Sequence, residues 1–215
     1  MEACSGSGGG SDQNRPCGGP GTIYLQSKGE DVTSATVIVD NANKIHDATT
    51  GIYYNHSSRG VVVMNGFVEL CARTGSDKIG NLIVRKKAHV LVPSGETAQI
   101  YGNIDTTGGY TYTVGGTVQM CGPETATISG SHPYANFVCT EPGKTLLFGT
   151  TANDCFEISA EGLLTLTGTE GSTVNLFPAG DDPTKAWAMK FGVDAVSVVN
   201  YASVSNSNAS AGDKA

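Results

Sequence analysis

The sequence predicts an all-β chain and, within that class, a right-handed parallel β-helix. Three observations carry this. The first is composition: of 215 residues only 15 % are charged, 39 % are hydrophobic, and Gly and Pro take 29 and 8 positions. Thr and Val number 23 and 19, and β-branched residues suit pleated strands better than helices. The second is patterning. Apolar runs of four to seven residues follow one another, which is strand length, and none sustains a 3.6-residue period over eleven positions. The third is repetition. Strand–turn–strand units recur with second strands starting near Phe67, His89, Thr117, Thr145 and Leu163, at steps of 22, 28, 28 and 18 residues. Such steps fall around the lower end of the range for repeat architectures.

Taken in order, residues 1–21 form a Gly/Ser-rich loop or linker without periodicity. Residues 22–203 carry the β-helix coils, beginning with Thr22–Leu25 and Ala35–Val39 and ending with Ala186–Phe191 and Ala195–Tyr201. Between them, Val61–Leu70, Leu82–Val92, Tyr112–Met120 and Phe156–Leu166 each read as two strands around a short turn. Pro183–Lys190 is the best local helix candidate, but Trp187 and Met189 alternate with Ala186, Ala188 and Lys190 as in a strand. Residues 204–215 read as a polar C-terminal tail. An antiparallel β-sandwich is the alternative, with the same units as hairpins and Gly115-Gly116 as a tight turn. Strand uniformity, coil-length steps and neutral outward residues favour the solenoid, whose open ends would expose unpaired backbone and invite association.

A net charge of −7, with 13 basic residues against 20 acidic ones, argues against nucleic-acid binding. The basic run Arg85-Lys86-Lys87 reads as a solvated turn between strands. No apolar run is long enough to span a membrane, and Met1–Gly10 lacks the basic and apolar regions of a signal peptide. Cys4, Cys17, Cys71, Cys121, Cys139 and Cys155 show no CxxC spacing. They read either as disulfide partners or as free thiols packed like small hydrophobes. Asn55-His56-Ser57 and Asn208-Ala209-Ser210 fit the glycosylation sequon, at a frequency that chance supplies.

Gly18-Gly-Pro-Gly-Thr-Ile-Tyr-Leu25, Glu161-Gly-Leu-Leu-Thr-Leu-Thr-Gly-Thr169, Thr173-Val-Asn-Leu-Phe177, Trp187 and Ala195-Val-Ser-Val-Val-Asn-Tyr-Ala-Ser-Val-Ser-Asn-Ser-Asn-Ala-Ser-Ala-Gly212 together form a series. In order and spacing it resembles the coils of large bacterial secreted or surface β-helix proteins, the autotransporter passengers and filamentous adhesins. The resemblance implies an extracellular or cell-surface location and a structural or adhesive role without catalytic residues. It also implies a continuation of the β-helix in a longer parent chain.

Some β-helix proteins cleave polysaccharides, which gives the enzyme reading specific requirements. A hydrolase needs two carboxylates facing one groove, and a lyase needs a base beside a cation. The one adjacent acidic pair, Asp181-Asp182, stands in Gly180-Asp-Asp-Pro183, which reads as a turn. Convergence of Asp154, Glu157, Asp181 and Asp182 beside a Lys or Arg would be the contrary sign. His46, His56, His89 and His132 make neither HxH nor HExxH spacing, and no nucleophile elbow, phosphate loop or calcium nonapeptide is matched. No catalytic, cofactor or metal residue is therefore expected. Tyr53, Tyr54, Tyr101, Tyr110 and Tyr112 are the candidate glycan contacts, since aromatic rings stack on sugar faces; the alternative is ordinary half-buried strand tyrosines. The reading is a non-enzymatic structural or adhesive segment, with surface glycans or other surface proteins as partners. A polysaccharide lyase or hydrolase, or a carbohydrate-binding module, stands as the alternative.

Overall fold

The structure is a computed structural model. It describes residues 21–25, 36–40, 51–53, 61–65, 69–71, 78–85, 89–92, 94–108, 115–182 and 184–208, with side chains over 79–84, 92, 94–107, 115–131, 133–182 and 184–208. Among these residues there is no helix, and the chain winds as a parallel β-helix.

The strands sort onto three faces. The first holds β1 (Gly21–Leu25), β2 (Thr36–Asp40), β4 (Val61–Asn65), β7 (Asn81–Arg85), β10 (Ile104–Gly108), β12 (Ala126–Ser129), β14 (Thr145–Phe148), β16 (Val174–Pro178) and β19 (Ala202–Val204). The second begins with β3 (Gly51–Tyr53), β5 (Glu69–Cys71) and β8 (His89–Leu91). Further along, the same place in the coil is taken by the first halves of β13 (Ser131–Cys139) and β15 (Cys155–Thr167), then β17 (Trp187–Phe191) and β20 (Ser207–Asn208). The third holds β6 (Lys78–Ile79), β9 (Thr97–Ile100), β11 (Thr117–Met120), the second halves of β13 and β15, and β18 (Val196–Asn200).

Every described ladder is parallel except the first, where β1 runs antiparallel to β2. The sandwich alternative is thereby excluded. β4 does not pair with β5 as a hairpin would; β4 lies between β2 and β7, and β5 between β3 and β8. The two-strand unit is corrected to three strands per coil. The steps of 22, 28, 28 and 18 mixed faces, because His89 belongs to the second face, Thr117 and Leu163 to the third, and Thr145 to the first, while Phe67 lies outside the described residues. Measured along single ladders, one coil takes from 18 residues (Gly51 to Glu69) to 33 (Leu163 to Val196).

Phe156–Leu166 is likewise one strand bent round a corner, not two. β15 turns between faces at Glu161, whose φ is 59°. The left-handed region costs a non-glycine residue roughly 1–2 kcal/mol, and Asp194 repeats the conformation at the same corner one coil on. Gly162 is needed there because a Cβ would meet the Ala135 carbonyl of the preceding coil at 2.5 Å.

Within each face, residues alternate in and out, and the inward ones stack in columns set by the register. Leu82, Ile104, Ile128 and Phe148 form one column on the first face. Ala98, Val118, Phe137 and Leu164, beside Ile100, Met120, Cys139 and Leu166, form two on the third. Full burial of such side chains stabilises by roughly 1.5–3 kcal/mol each. In the later coils aromatics fill the interior: Phe156 packs edge-on against Phe137 (4.8 Å) and Phe148 (5.1 Å), and Phe148 stacks on Trp187 at 4.2 Å. Trp187 thus lies in strand β17, as the alternation in Pro183–Lys190 predicts.

Residues 1–20 and 209–215 lie outside the described residues. Parallel pairing runs on past residue 203, through Val204 to Ser207–Asn208.

Candidate functional site

The corner between the first and second faces carries the longest described connections. It is a single residue, Gly130, between β12 and β13, then 149–154 between β14 and β15, then 179–186 between β16 and β17. The acidic candidates Asp154, Glu157, Asp181 and Asp182 lie on or next to this edge, and Asp154, Glu157 and Asp182 each have a local partner. Asp154 is buried. Its Oδ1 accepts from the Gly130 N–H of the coil below, and its Oδ2 accepts from the Thr151 N–H at 2.8 Å and the Thr151 hydroxyl at 2.6 Å. Gly149 makes room for it, since a side chain there would collide with the carboxylate. Glu157 faces outward on the second face and receives Lys190 of the next coil at 2.9 Å. Asp182 closes its own turn, with its Oδ1 accepting from the Thr184 hydroxyl at 2.6 Å and the Thr184 N–H at 2.9 Å. Those bonds hold its carboxyl below the usual aspartate range. Asp181 is exposed in the same turn.

The tyrosine candidates are not brought together among the described residues. Tyr53 ends β3, in register with Cys71, and its side chain lies outside the description. Tyr54, Tyr110 and Tyr112 also lie outside the described residues. Tyr101 stands at the corner between the third and first faces, half-buried, with its ring beneath Gly122 of the next coil. This is the environment of a corner residue packed between coils.

That same corner holds the group the sequence reading missed. Lys144 is fully buried. Its ammonium donates to the carbonyls of Cys121 (3.0 Å), Gly122 (3.0 Å) and Glu124 (2.9 Å), all in the corner one coil below. Burial lowers its pKa from the ordinary lysine value. Nearby, the Asn103 N–H donates to Asn81 Oδ1 at 2.8 Å and the Thr127 N–H to Asn103 Oδ1 at 2.7 Å. These amides carry the pairing of the first face out to its edge.

Among the described residues, Cys121, Cys139 and Cys155 are free thiols, the first two buried. Burial pushes the Cys139 thiol up to about 11. Cys4 and Cys17 lie outside the described residues, and Cys71 is described only as a backbone position in β5. His46 and His56 lie outside them too, and His89 and His132 are placed only as strand positions in β8 and β13. Arg85 ends β7 and His89 opens β8, and Lys86 and Lys87 of the basic run lie outside the described residues. Among the described residues no group of three or more His, Cys, Asp or Glu could hold a metal ion, and no helix is long and apolar enough to cross a membrane.

The site and the ladders define a class of molecule, a parallel β-solenoid with interlocked corners. No protein-family model, curated protein or solved structure matches the chain.

Proposed function

We propose that this chain is a non-enzymatic structural or adhesive segment of a secreted or cell-surface β-helix protein. One observation supports the reading most directly: Asp154, Lys144, Glu157 and Asp182, four polar groups on or next to the corners, are engaged in joining one coil to the next or in closing a turn. Asp154 and Lys144 each reach one coil down, Glu157 binds the lysine of the coil above, and Asp182 closes a turn. Stacked at about 4.8 Å per coil, such a body serves as a stiff rod, and the lengthening loops 149–154 and 179–186 along one edge are what it displays. Surface glycans or other surface proteins are the partners this role calls for, and further coils in a longer parent chain would extend the rod.

The test has two arms. Antibodies raised against the purified chain should label intact, unpermeabilised cells of the source organism, and the chain should leave acidic and neutral polysaccharides undegraded. Labelling only after permeabilisation would refute the surface role. Depolymerisation that disappears in the Asp181→Ala/Asp182→Ala double variant would replace it with the enzyme reading.

A further inference from the structure

The chain holds one Asp–Pro peptide bond, Asp182–Pro183, in the corner 179–186 between β16 and β17. Pro183 enters by its place in the sequence; the residues on either side of it are described, and 180–182 and 184–186 are exposed to water and its protons. The Asp182 side chain is turned toward its own C-terminal peptide. Its Oδ1 accepts from the Thr184 N–H at 2.9 Å and from the Thr184 hydroxyl at 2.6 Å. A carboxylate that reaches the N–H two residues on lies across the peptide group between, and that group is the 182–183 bond. The carbonyl oxygen of the same bond accepts from the Lys185 N–H at 3.2 Å. One exposed turn thus holds a carboxylate beside a carbonyl, and an N–H donor on that carbonyl's oxygen.

We infer that Asp182–Pro183 is a self-cleavage site, at which the Asp182 carboxylate cuts the chain on its own C-terminal side in mild acid. The Thr184 bonds fall on Oδ1, which leaves Oδ2 to attack the Asp182 carbonyl carbon. A C–O bond forms and closes a cyclic anhydride, the C–N bond to Pro183 breaks, and the proline nitrogen leaves as an amine carrying a proton taken from solvent. Water then opens the anhydride, restoring the side-chain carboxyl and leaving a new α-carboxyl at residue 182. The balance is one water added across one peptide bond. The negative charge that develops on the carbonyl oxygen faces the Lys185 N–H, an arrangement that stabilises such an oxyanion. The turn holds the two reacting groups of one residue together instead of leaving them to rotate. Proline suits the leaving position because its ring nitrogen is a tertiary amide, more basic than an ordinary peptide nitrogen. Acid is needed to protonate that nitrogen, while the carboxyl must stay ionised to attack. The Thr184 hydroxyl and N–H, with a smaller part from the Lys185 charge, keep it ionised below the ordinary aspartate range, and Asp181 is the other titratable group of the turn. After the cut β17 stays paired with β15 and β19 with β16, so the product is a nicked solenoid with a free proline amine in the loop. None of this depends on the surface role proposed above.

The test incubates the purified full chain at the lowest pH at which circular dichroism still shows the native fold, beside the urea-unfolded chain at the same pH. Denaturing electrophoresis and intact mass read the products, 1–182 and 183–215. The native chain should cut at this bond roughly tenfold faster than the unfolded one, or more, because only the native chain holds the turn. Asp182→Asn keeps an acceptor for Thr184 but removes the attacking carboxylate, and should abolish the cut. Thr184→Val removes one of the two bonds that hold the carboxylate, and should slow it. Circular dichroism of each variant separates a lost reaction from a lost fold. No product at 182–183, a rate in urea that equals the native rate, or a cut that persists in Asp182→Asn would overturn the inference.

Discussion

The Lys144 ammonium lies 3.0 Å from the carbonyl oxygen of Cys121, a residue 23 positions earlier and one coil below. The bond is one of three from the same nitrogen, and together they replace the water that the 121–124 corner would otherwise hold.

Removing that ammonium is expected to be costly. Lys144→Met keeps the volume and strips three carbonyls of a charged donor. With hydrogen bonds to charged groups contributing about 1.5–3 kcal/mol and unsatisfied acceptors costing more, a loss of about 2–4 kcal/mol is expected. Urea unfolding followed by circular dichroism measures it, and a loss under about 0.5 kcal/mol, the scale of a plain surface substitution, would mean the bonds contribute little.

Trp187 reports on the end of the solenoid. It is the chain's single tryptophan, is fully buried against Phe148, and donates from its indole nitrogen to the Ser205 carbonyl at 3.0 Å. Its emission should be blue-shifted in the native state and move to the red on unfolding. Trp187→Phe should cost about 1–3 kcal/mol, chiefly by orphaning the Ser205 carbonyl. Emission already at the solvent-exposed position in the native protein would contradict the packing.

The thiols should react in an order set by burial. Cys139, raised to about 11 and fully buried, and Cys121, 3 % exposed, should resist iodoacetamide at pH 8 until denaturant is added. Cys155 is half-buried and also raised, by burial first, so it should react slowly in the native state and before the other two. Peptide mapping by mass spectrometry resolves the three, and native labelling of Cys139 ahead of Cys155 would contradict the arrangement.

For Asp182 the sign is that of a carboxylate held charged by its hydrogen bonds. Its native pKa lies below the ordinary aspartate value, chiefly through the Thr184 hydroxyl and next through the Thr184 N–H. The turn's preference for the ionised form is complete above the ordinary aspartate range and fades as pH falls through the lowered native value. Carboxyl-carbon NMR should show this late titration, and Thr184→Val should move it back toward the ordinary value by removing the hydroxyl while keeping the N–H. An unchanged titration in the variant would assign the shift to something other than the hydroxyl.

Strand character was legible because it is a local property. In Thr97–Ile100 and Thr117–Met120, every second residue is apolar and every second one is buried, which is the two-residue period of a pleated strand read directly. The corners were legible only in part. A corner and a hairpin use similar residues, so Phe156–Leu166 read as two strands around a turn under either fold, and only the structure shows one strand bent onto a new face at Glu161; Gly115-Gly116 as a hairpin turn belonged to the sandwich alternative. Lys144 carried no signal at all: after Glu141-Pro-Gly, a lysine reads as the solvated end of a turn. Of the five tyrosines, only Tyr101 has its side chain among the described residues, and it packs at a corner.

Composition and alternation alone were thus enough to make this chain all-β and to favour strand over helix at Pro183–Lys190. They could do so because burial of alternate side chains depends on nearest neighbours along one strand. Three faces per coil, the columns that join Leu82 to Phe148 and the buried ammonium under the Cys121 corner were decided only by tertiary structure. Each of these depends on which residue, some 20 to 30 positions away, a bend of the backbone brings one strand spacing above or below, and the sequence carries no period sharp enough to specify it.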